Sequence, residues 1–293
     1  MSSITDVYSP RTTFRCTRLR GAKVGSSVCQ FCAVGCSQLG FFKDGKLIDV
    51  EGDPRSAVNE GRLCPKGSST YALNENPYRK VKPMYRAPGS DHWEEVSLDW
   101  MLDTVAKRIW DTRNKGFVEK DPTTGITVNN CANIGFIGGS ANDNEECYLF
   151  RKLFTGGLGI LPVENSARYC HSTTVAALSP TFGFGACTNP PRDLLNSDCI
   201  LIMGSNMAEA HPCAFYWPMQ AKKKGAVTIH VDPRYTRTSA ACDHHVHIRP
   251  ETDIAFLSAI IRYILEKDLW FKEYVLAYTN ASTIINPKFN FDQ

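Results

Sequence analysis

The sequence predicts an α/β protein in two parts: a small β-rich unit, then a doubly wound, mostly parallel sheet with helices on its faces. Three observations carry this. Apolar runs of strand length alternate with helix-period segments from about residue 132 to 267, the pattern of a parallel sheet whose crossovers are helices. Short strands and tight turns instead fill residues 23–83. Within that first part lie Cys29, Cys32 and Cys36, followed by Cys64 in Leu63-Cys64-Pro65-Lys66-Gly67. Such a ligand set helps hold together a unit whose apolar core is marginal.

The elements follow in order. The basic opening (Arg11, Arg15, Arg18, Arg20, Lys23) reads as a solvated or subunit-contacting arm, residues 1–22. Residues 39–42 and 46–51 read as strands joined by Lys43-Asp44-Gly45, where Asp-Gly supplies positive φ cheaply. Gly52-Asp53-Pro54 ends the second strand. The proline-rich stretch 78–96 reads as a crossover, and the β-rich unit is set at 23–88 and the α/β region at 89–293. Ser97 is placed as the N-cap of a helix over 99–111, where Met101, Leu102, Val105, Ile109 and Trp110 fall at helical spacing. Residues 121–130 read as a polar loop, 132–137 as a strand ending at Gly138-Gly139-Ser140, and about 143–154 as a helix closing at Gly156-Gly157. A loop is expected at 163–168 and a helix at 172–178. Then come a strand at 199–203, a turn at Gly204-Ser205-Asn206, a helix at about 210–224, a strand at 226–231 and a periodic helix at 253–267.

Composition narrows the function classes. A net charge of +3, with no Lys/Arg tract interleaved with aromatics, sets nucleic acid aside. Twelve cysteines in 293 residues do not mark a disulfide scaffold, because that inference needs a short chain with a signal peptide, and this one opens Met1-Ser2-Ser3-Ile4-Thr5-Asp6. No run approaches the ~18 apolar residues that cross a bilayer. The expectation is a cytoplasmic chain with no membrane span of its own, or a periplasmic one if a leader is removed or it is exported with a partner.

Four groups of residues have the types that carry chemistry. A Cys-x2-Cys-x3-Cys loop can wrap three thiolates round a cubane iron–sulfur cluster while a distant cysteine, here Cys64, closes the fourth corner. Structural zinc, which more often uses two Cys-x2-Cys knuckles, stays open on spacing alone. In a doubly wound sheet, ligands bind at the carboxyl ends of strands. There Gly204-Ser205-Asn206 leads into a helix N-terminus that suits phosphate, and Asp232 suits ribose or guanine donors. A plain strand–helix turn and a turn-forming Asp-Pro are the alternatives. No GxGxxG is present. Cys170, just before the helix at 172–178, is either a soft-metal ligand or a buried cysteine beside a capping His171. His244, His245 and His247 read as a polar strand edge, and Cys16, Cys131, Cys147, Cys187, Cys199, Cys213 and Cys242 as small core or surface residues.

The cysteine set, then Arg168-Tyr169-Cys170-His171-Ser172-Thr173-Thr174-Val175, Gly204-Ser205-Asn206-Met207-Ala208-Glu209-Ala210-His211-Pro212 and Val231-Asp232-Pro233-Arg234-Tyr235-Thr236-Arg237-Thr238 occur in that order. Together they resemble the N-terminal portion of the catalytic subunit of molybdenum- or tungsten-dependent formate dehydrogenases of the respiratory type, in the molybdopterin oxidoreductase superfamily. The resemblance covers about residues 25–285.

It implies a [4Fe–4S] domain followed by the α/β fold of that superfamily. Cys29, Cys32, Cys36 and Cys64 would ligate the cluster, with Lys66 between it and a pterin. Cys170 would ligate Mo or W where many relatives carry selenocysteine, and His171 would assist proton or hydride movement. Gly204, Asn206, Glu209, His211, Asp232 and Thr236 would line the guanine dinucleotide. The implied reaction is formate oxidation to CO2, or its reverse, with electrons leaving through the cluster. A related nitrate reductase typically has methionine after the ligating cysteine, which His171 argues against. A non-catalytic electron-transfer or scaffold module is the rival from another class. Family catalytic subunits run much further than residue 293, so the resemblance implies one piece of a split subunit. Its bis(molybdopterin guanine dinucleotide) site would be completed by a C-terminal half on a separate chain, alongside an iron–sulfur electron-transfer subunit.

Overall fold

The computed structural model describes residues 2–3, 18–283 and 288; Arg11, Arg15 and Cys16 lie outside them. The chain forms two compact units, Met1–Ser197 with Met207–Gly225, and Asp198–Asn206 with Ala226–Gln293.

The first unit opens with an antiparallel sheet in the order β1 (Ser2–Ser3), β2 (Lys23–Val28), β3 (Ser37–Lys43), β4 (Lys46–Gly52). Asp44 and Gly45 join β3 to β4 with φ of 51° and 79°, the paired left-handed geometry that matches strand twist. Strand alternation puts Leu39 and Phe41 into a core with Leu19, Ala22 and Val24. Gln38, the residue before Leu39, faces the other way and donates from Nε2 to the Gly67 carbonyl at 2.8 Å. The following loop is pinned by Asn59, whose amide accepts from Ser37 N at 3.0 Å and donates to the carbonyls of Ser37 (3.1 Å) and Arg62 (2.8 Å). It ends in two short helices, α1 (Pro65–Ser68) and α2 (Thr70–Asn74), with Cys64 as N-cap and Pro65 at the first helical position.

The expected crossover at 78–96 contains a small hairpin, β5 (Met84–Tyr85) with β6 (Glu94–Glu95). Ser97 caps α3 (Leu98–Gly116) by accepting from Trp100 N. The expected loop at 121–130 is a hairpin, β7 (Phe117–Lys120) with β8 (Thr127–Cys131). Asp121 turns the chain there by accepting from the amides of Thr123 and Thr124, and Gly125 closes the turn at φ 72°. The expected strand at 132–137 is confined to β9 (Phe136–Gly138), and a capping box at Asp143 and Glu146 starts α4 (Asn144–Arg151), which runs into a π-helical turn over Lys152–Gly157. The expected loop at 163–168 is instead β10 (Val163–Asn165), parallel to β9, and the short helix α5 (Ser166–Cys170). Backbone pairing with β9 organises this segment, a long-range effect that local pattern does not carry. Then come α6 (Ser172–Phe182) and a 3-10 turn at Pro191–Asn196.

The second unit is built on three parallel strands in sequence order, β11 (Cys199–Met203), β12 (Val227–Val231) and β13 (His244–Val246). Between the first two run α7 (Met207–Ala210) and α8 (Pro212–Lys223), which pack with the first unit. After β12 come α9 (Arg237–Ala241), α10 (Asp253–Glu266) and α11 (Lys272–Tyr278). Thr228 N and Oγ1 both donate to Asp243 Oδ2 at 2.8 Å, tying the start of β12 to the residue before β13. The architecture is α/β, a small antiparallel unit followed by parallel strands alternating with helices. Among the described residues no helix is long and apolar enough to cross a membrane.

Candidate functional site

The four expected cluster cysteines come together in one apolar nest. Cys29 and Cys36 are buried, Cys32 and Cys64 are partly buried, and Val34, Val58, Leu63, Met207 and Ala214 pack with them. The Cys29 amide donates to the Cys36 carbonyl at 2.8 Å, which closes the loop on itself, and Gly35 turns it at φ 66°. Gly67 brings the Cys64 segment alongside. A side chain there would begin 3.3 Å from Leu63 Cδ2, a tight approach, and 3.7 Å from Cys29 Sγ, so glycine lets the segment pack closely on Leu63. Lys66 is exposed on α1, two residues beyond Cys64.

A fifth cysteine shares the nest. Cys213, read from sequence as a small core or surface residue, is buried on the first turn of α8, packs in the same nest as Cys36, and donates from Sγ to the Arg62 carbonyl at 3.7 Å. Burial foremost, then Cys213, then Cys29 and Cys32, pushes the Cys36 thiol up to about 12. Burial likewise raises Cys213. Bare thiols packed this closely resist ionising; iron, which binds thiolate and releases the proton, resolves the conflict. The donor set therefore fits a thiolate-bound metal group. Nothing in the spacing of Cys213 from the other cysteines signals this, because 177 residues separate it from Cys36.

Cys170 ends α5, two residues ahead of α6, whose N-cap is His171. Both side chains are exposed, so the alternative of a buried cysteine does not hold, and His171 makes no capping hydrogen bond with its ring. Close by in sequence, a cavity of about 190 Å³ lies along β9, β10 and α4, lined by Phe136, Gly138, Phe150, Val163, Glu164 and Arg168 among others.

The second unit collects Gly204, Asn206, Asp232 and Thr236 at the carboxyl ends of β11 and β12. Gly204 takes φ 62° while its amide donates to the Val231 carbonyl at 3.0 Å, so the turn leaves β11 still tied to its neighbour. Asn206 Oδ1 accepts from Thr238 Oγ1 at 3.1 Å, Thr236 caps α9, and Asp232 Oδ1 accepts from Arg234 N at 2.7 Å. A residue not singled out from sequence organises this end. His230, fully buried in β12, has Nε2 3.1 Å from the Ser205 carbonyl and Nδ1 2.7 Å from Ser239 Oγ. A carbonyl only accepts, so Nε2 carries the proton, and Nδ1 accepts from a hydroxyl whose oxygen in turn takes the Thr236 amide at 2.9 Å. The imidazole thus braces both turns, the one after β11 and the one after β12. Burial lowers its pKa and keeps it neutral. The one signal available was a histidine in a strand of β-branched residues. His244 and His245 lie on β13, at the sheet edge.

Glu209 and His211 belong to the first unit. His211 Nδ1 is buried without a hydrogen-bond partner, a polar atom that a bound group would satisfy. Among the described residues no three His, Cys, Asp or Glu side chains converge as a single-ion site.

This α/β scaffold with its cysteine-rich first part is that of the molybdopterin oxidoreductases. The family model "Molybdopterin oxidoreductase" matches residues 79–270 and its Fe4S4 domain matches residues 22–76. The chain belongs to that family, and its cofactors are a [4Fe–4S] cluster and a molybdopterin; the choice between iron–sulfur and zinc falls to the former. Among its relatives, the formate dehydrogenase subunit alpha of Megalodesulfovibrio gigas is 52% identical over 274 residues, 93% of this chain and 27% of that one. The formate dehydrogenase-O major subunit of Escherichia coli is 42% identical over 274 residues, 91% of this chain and 27% of that one. Acetylene hydratase from Pelobacter acetylenicus shares the fold, with a TM-score of 0.68 at 22% identity over 86% of this chain and 33% of that one. The chain thus spans about a quarter of the length of the formate dehydrogenase relatives it matches.

Proposed function

We propose that this chain is the cluster-bearing N-terminal piece of a formate dehydrogenase catalytic subunit, taking formate to CO2 or the reverse. The observation that carries the reading is the gathering of Cys29, Cys32, Cys36 and Cys64 in one nest within a chain 52% identical to a formate dehydrogenase alpha subunit. In this reading those four thiolates hold the [4Fe–4S] cluster, and the Lys66 ammonium stands at its exit toward the pterin. Gly204, Asn206, Glu209, His211, Asp232 and Thr236 seat the guanine dinucleotide. Cys170 is the soft donor to Mo or W.

Oxidation of formate releases CO2, one proton and two electrons. When bound, the metal–pterin centre takes up the electrons. His171, exposed beside Cys170 with its ring not engaged in capping, receives the proton, and the cluster thiolates keep the electron outlet fixed within the apolar nest.

The partners in this proposal are the remaining part of the catalytic subunit and an iron–sulfur subunit that takes the electrons. Exposed apolar residues of α10, including Ile254, Ile261 and Leu265, support such a joining surface. The location proposed is the cytoplasm, where thiols awaiting iron stay reduced.

The test is purification of the native complex under anaerobic conditions, with metal analysis and formate-dependent dye reduction, and Cys170→Ala as control. Activity and Mo or W are expected in the complex, and both are expected to be lost in Cys170→Ala while cluster iron is retained. Undiminished activity in that variant would overturn the ligand role and turn the reading toward an electron-transfer module.

A further inference from the structure

We propose that Cys213 is a fifth thiol of the cluster site, donating an S–H hydrogen bond to the Cys36 sulfur in the iron-loaded protein and thereby raising the reduction potential of the cluster. This rests on Cys29, Cys32, Cys36 and Cys64 being its ligands.

The thiol is held against the cluster cysteines by the fold. Cys213 is 7% exposed and packs with Cys29, Cys36, Val34 and Ala214, with Cys32, Cys64 and Met207 bordering the same nest. It sits on the first turn of a twelve-residue helix. Four residues on, and so on the same face, Trp217 is 2% exposed and donates from Nε1 to the Val58 carbonyl at 3.2 Å. That anchor fixes the rotation of the helix and with it the direction of the Cys213 side chain.

The pairing of Cys36 with Cys213 has a definite polarity once iron is present. A ligating cysteine has lost its proton, so Cys36 can only accept, and the proton between the two sulfurs is the one on Cys213. The acceptor that Cys213 Sγ reaches in the structure is the Arg62 carbonyl, at 3.7 Å. It is neutral and already accepts from Asn59 at 2.8 Å, whereas the cluster sulfur is anionic and makes the stronger, charge-assisted bond. Reduction adds negative charge to the cluster, so a donor to its sulfur stabilises the reduced form more than the oxidised one. Apolar surroundings strengthen that preference. The positive end of α8 acts in the same direction.

The experiment is a redox titration of the cluster by EPR in the anaerobically purified, cluster-loaded protein with its native partners. Wild type is compared with Cys213→Val, which keeps the shape and removes the donor, and with Cys213→Ser, which keeps a donor. Iron and sulfide are measured in each. The expectation is unchanged cluster content and a potential lowered in Cys213→Val by up to about tenfold in the reduction equilibrium, about 59 mV for one electron, with Cys213→Ser recovering most of the shift. In deuterated buffer, pulsed EPR of wild type should show an exchangeable deuteron coupling that Cys213→Val lacks. Should Cys213→Val not load its cluster, Cys213→Ala is read in the same way. An unchanged potential with full cluster content would overturn the proposal. Failure of the ligand assignment itself appears separately, as full iron content in Cys64→Ala.

Discussion

The indole N–H of Trp217 donates to the carbonyl of Val58 at 3.2 Å, joining residues 159 positions apart. Around it the Arg62 guanidinium lies 3.7 Å from the Tyr216 ring centroid, and Arg192 lies 5.8 Å from that of Trp217. This contact makes α8 a wall of the cysteine nest. Trp217→Phe removes the donor and leaves the Val58 carbonyl short of a partner, an expected cost of about 1–2 kcal/mol. Trp217→Ala adds a cavity and is expected to cost about 3–5 kcal/mol. Thermal unfolding measures both, and the rate of cluster bleaching in air is expected to rise in the same order.

Gln38 bears on the nest through Gly67, holding the Gly67 carbonyl at 2.8 Å and donating to Thr70 Oγ1 at 3.1 Å. Thr70 Oγ1 also donates to that carbonyl at 2.8 Å, so the acceptor survives loss of one partner. Gln38→Leu is expected to cost about 1 kcal/mol, and Gln38→Leu with Thr70→Val distinctly more than the sum of the single changes. Denaturant unfolding of the loaded protein gives the comparison. Equal, additive losses would show that the two donors do not share the Gly67 acceptor.

Gly52 and Gly61 pass so closely that a Cβ on Gly52 would stand 2.4 Å from the Gly61 carbonyl oxygen, and Gly61, at φ 80°, has little room to yield. Gly52→Ala is expected to destabilise the unit by about 1–3 kcal/mol and to lower cluster occupancy. Gly156→Ala, where nothing lies within 4 Å of the added carbon, is the near-neutral control. Iron content and melting temperature of the two variants check the contrast.

His230 makes the second unit sensitive to acid. Its pKa is depressed by burial below the ordinary 6.5, with His245 acting in the same direction and the Ser205 carbonyl and Asp232 opposing. Unfolded chains therefore bind a proton that the folded state refuses, so this contribution to stability is present above about pH 6.5 and is lost as pH falls toward the folded value. The melting temperature is expected to drop from pH 7 to 5.5 by less in His230→Phe than in wild type, although that variant starts lower. A parallel drop in both proteins would exclude His230 as the source.

Local chemistry made much of the fold legible. Apolar periodicity marks β11, β12 and α10, Asp44-Gly45 marks the hairpin between β3 and β4, and Ser97 marks the start of α3, because turn geometry, capping and amphipathic faces depend on neighbours a few residues away. The same locality makes the spacing of Cys29, Cys32 and Cys36 readable as a ligand loop. It misled where pairing with a distant strand decides: residues 127–131 and 163–165 carry weak strand patterns, and β7 and β9 respectively recruit them.

The cysteine nest shows the division most clearly. Sequence by itself determined the cysteine loop, the turns that end the parallel strands and, through the ordered motifs, the family. Tertiary structure alone decided that Asn59 and Gln38 position the Cys64 segment, that His230 braces the turns after β11 and β12, and that Cys213 packs in one nest with Cys36. Each of these is a side-chain contact between segments that meet only when apolar surfaces pack and buried polar groups find partners. A protein interior selects such neighbours by shape and hydrogen-bond satisfaction in three dimensions, and that selection leaves no period in the chain.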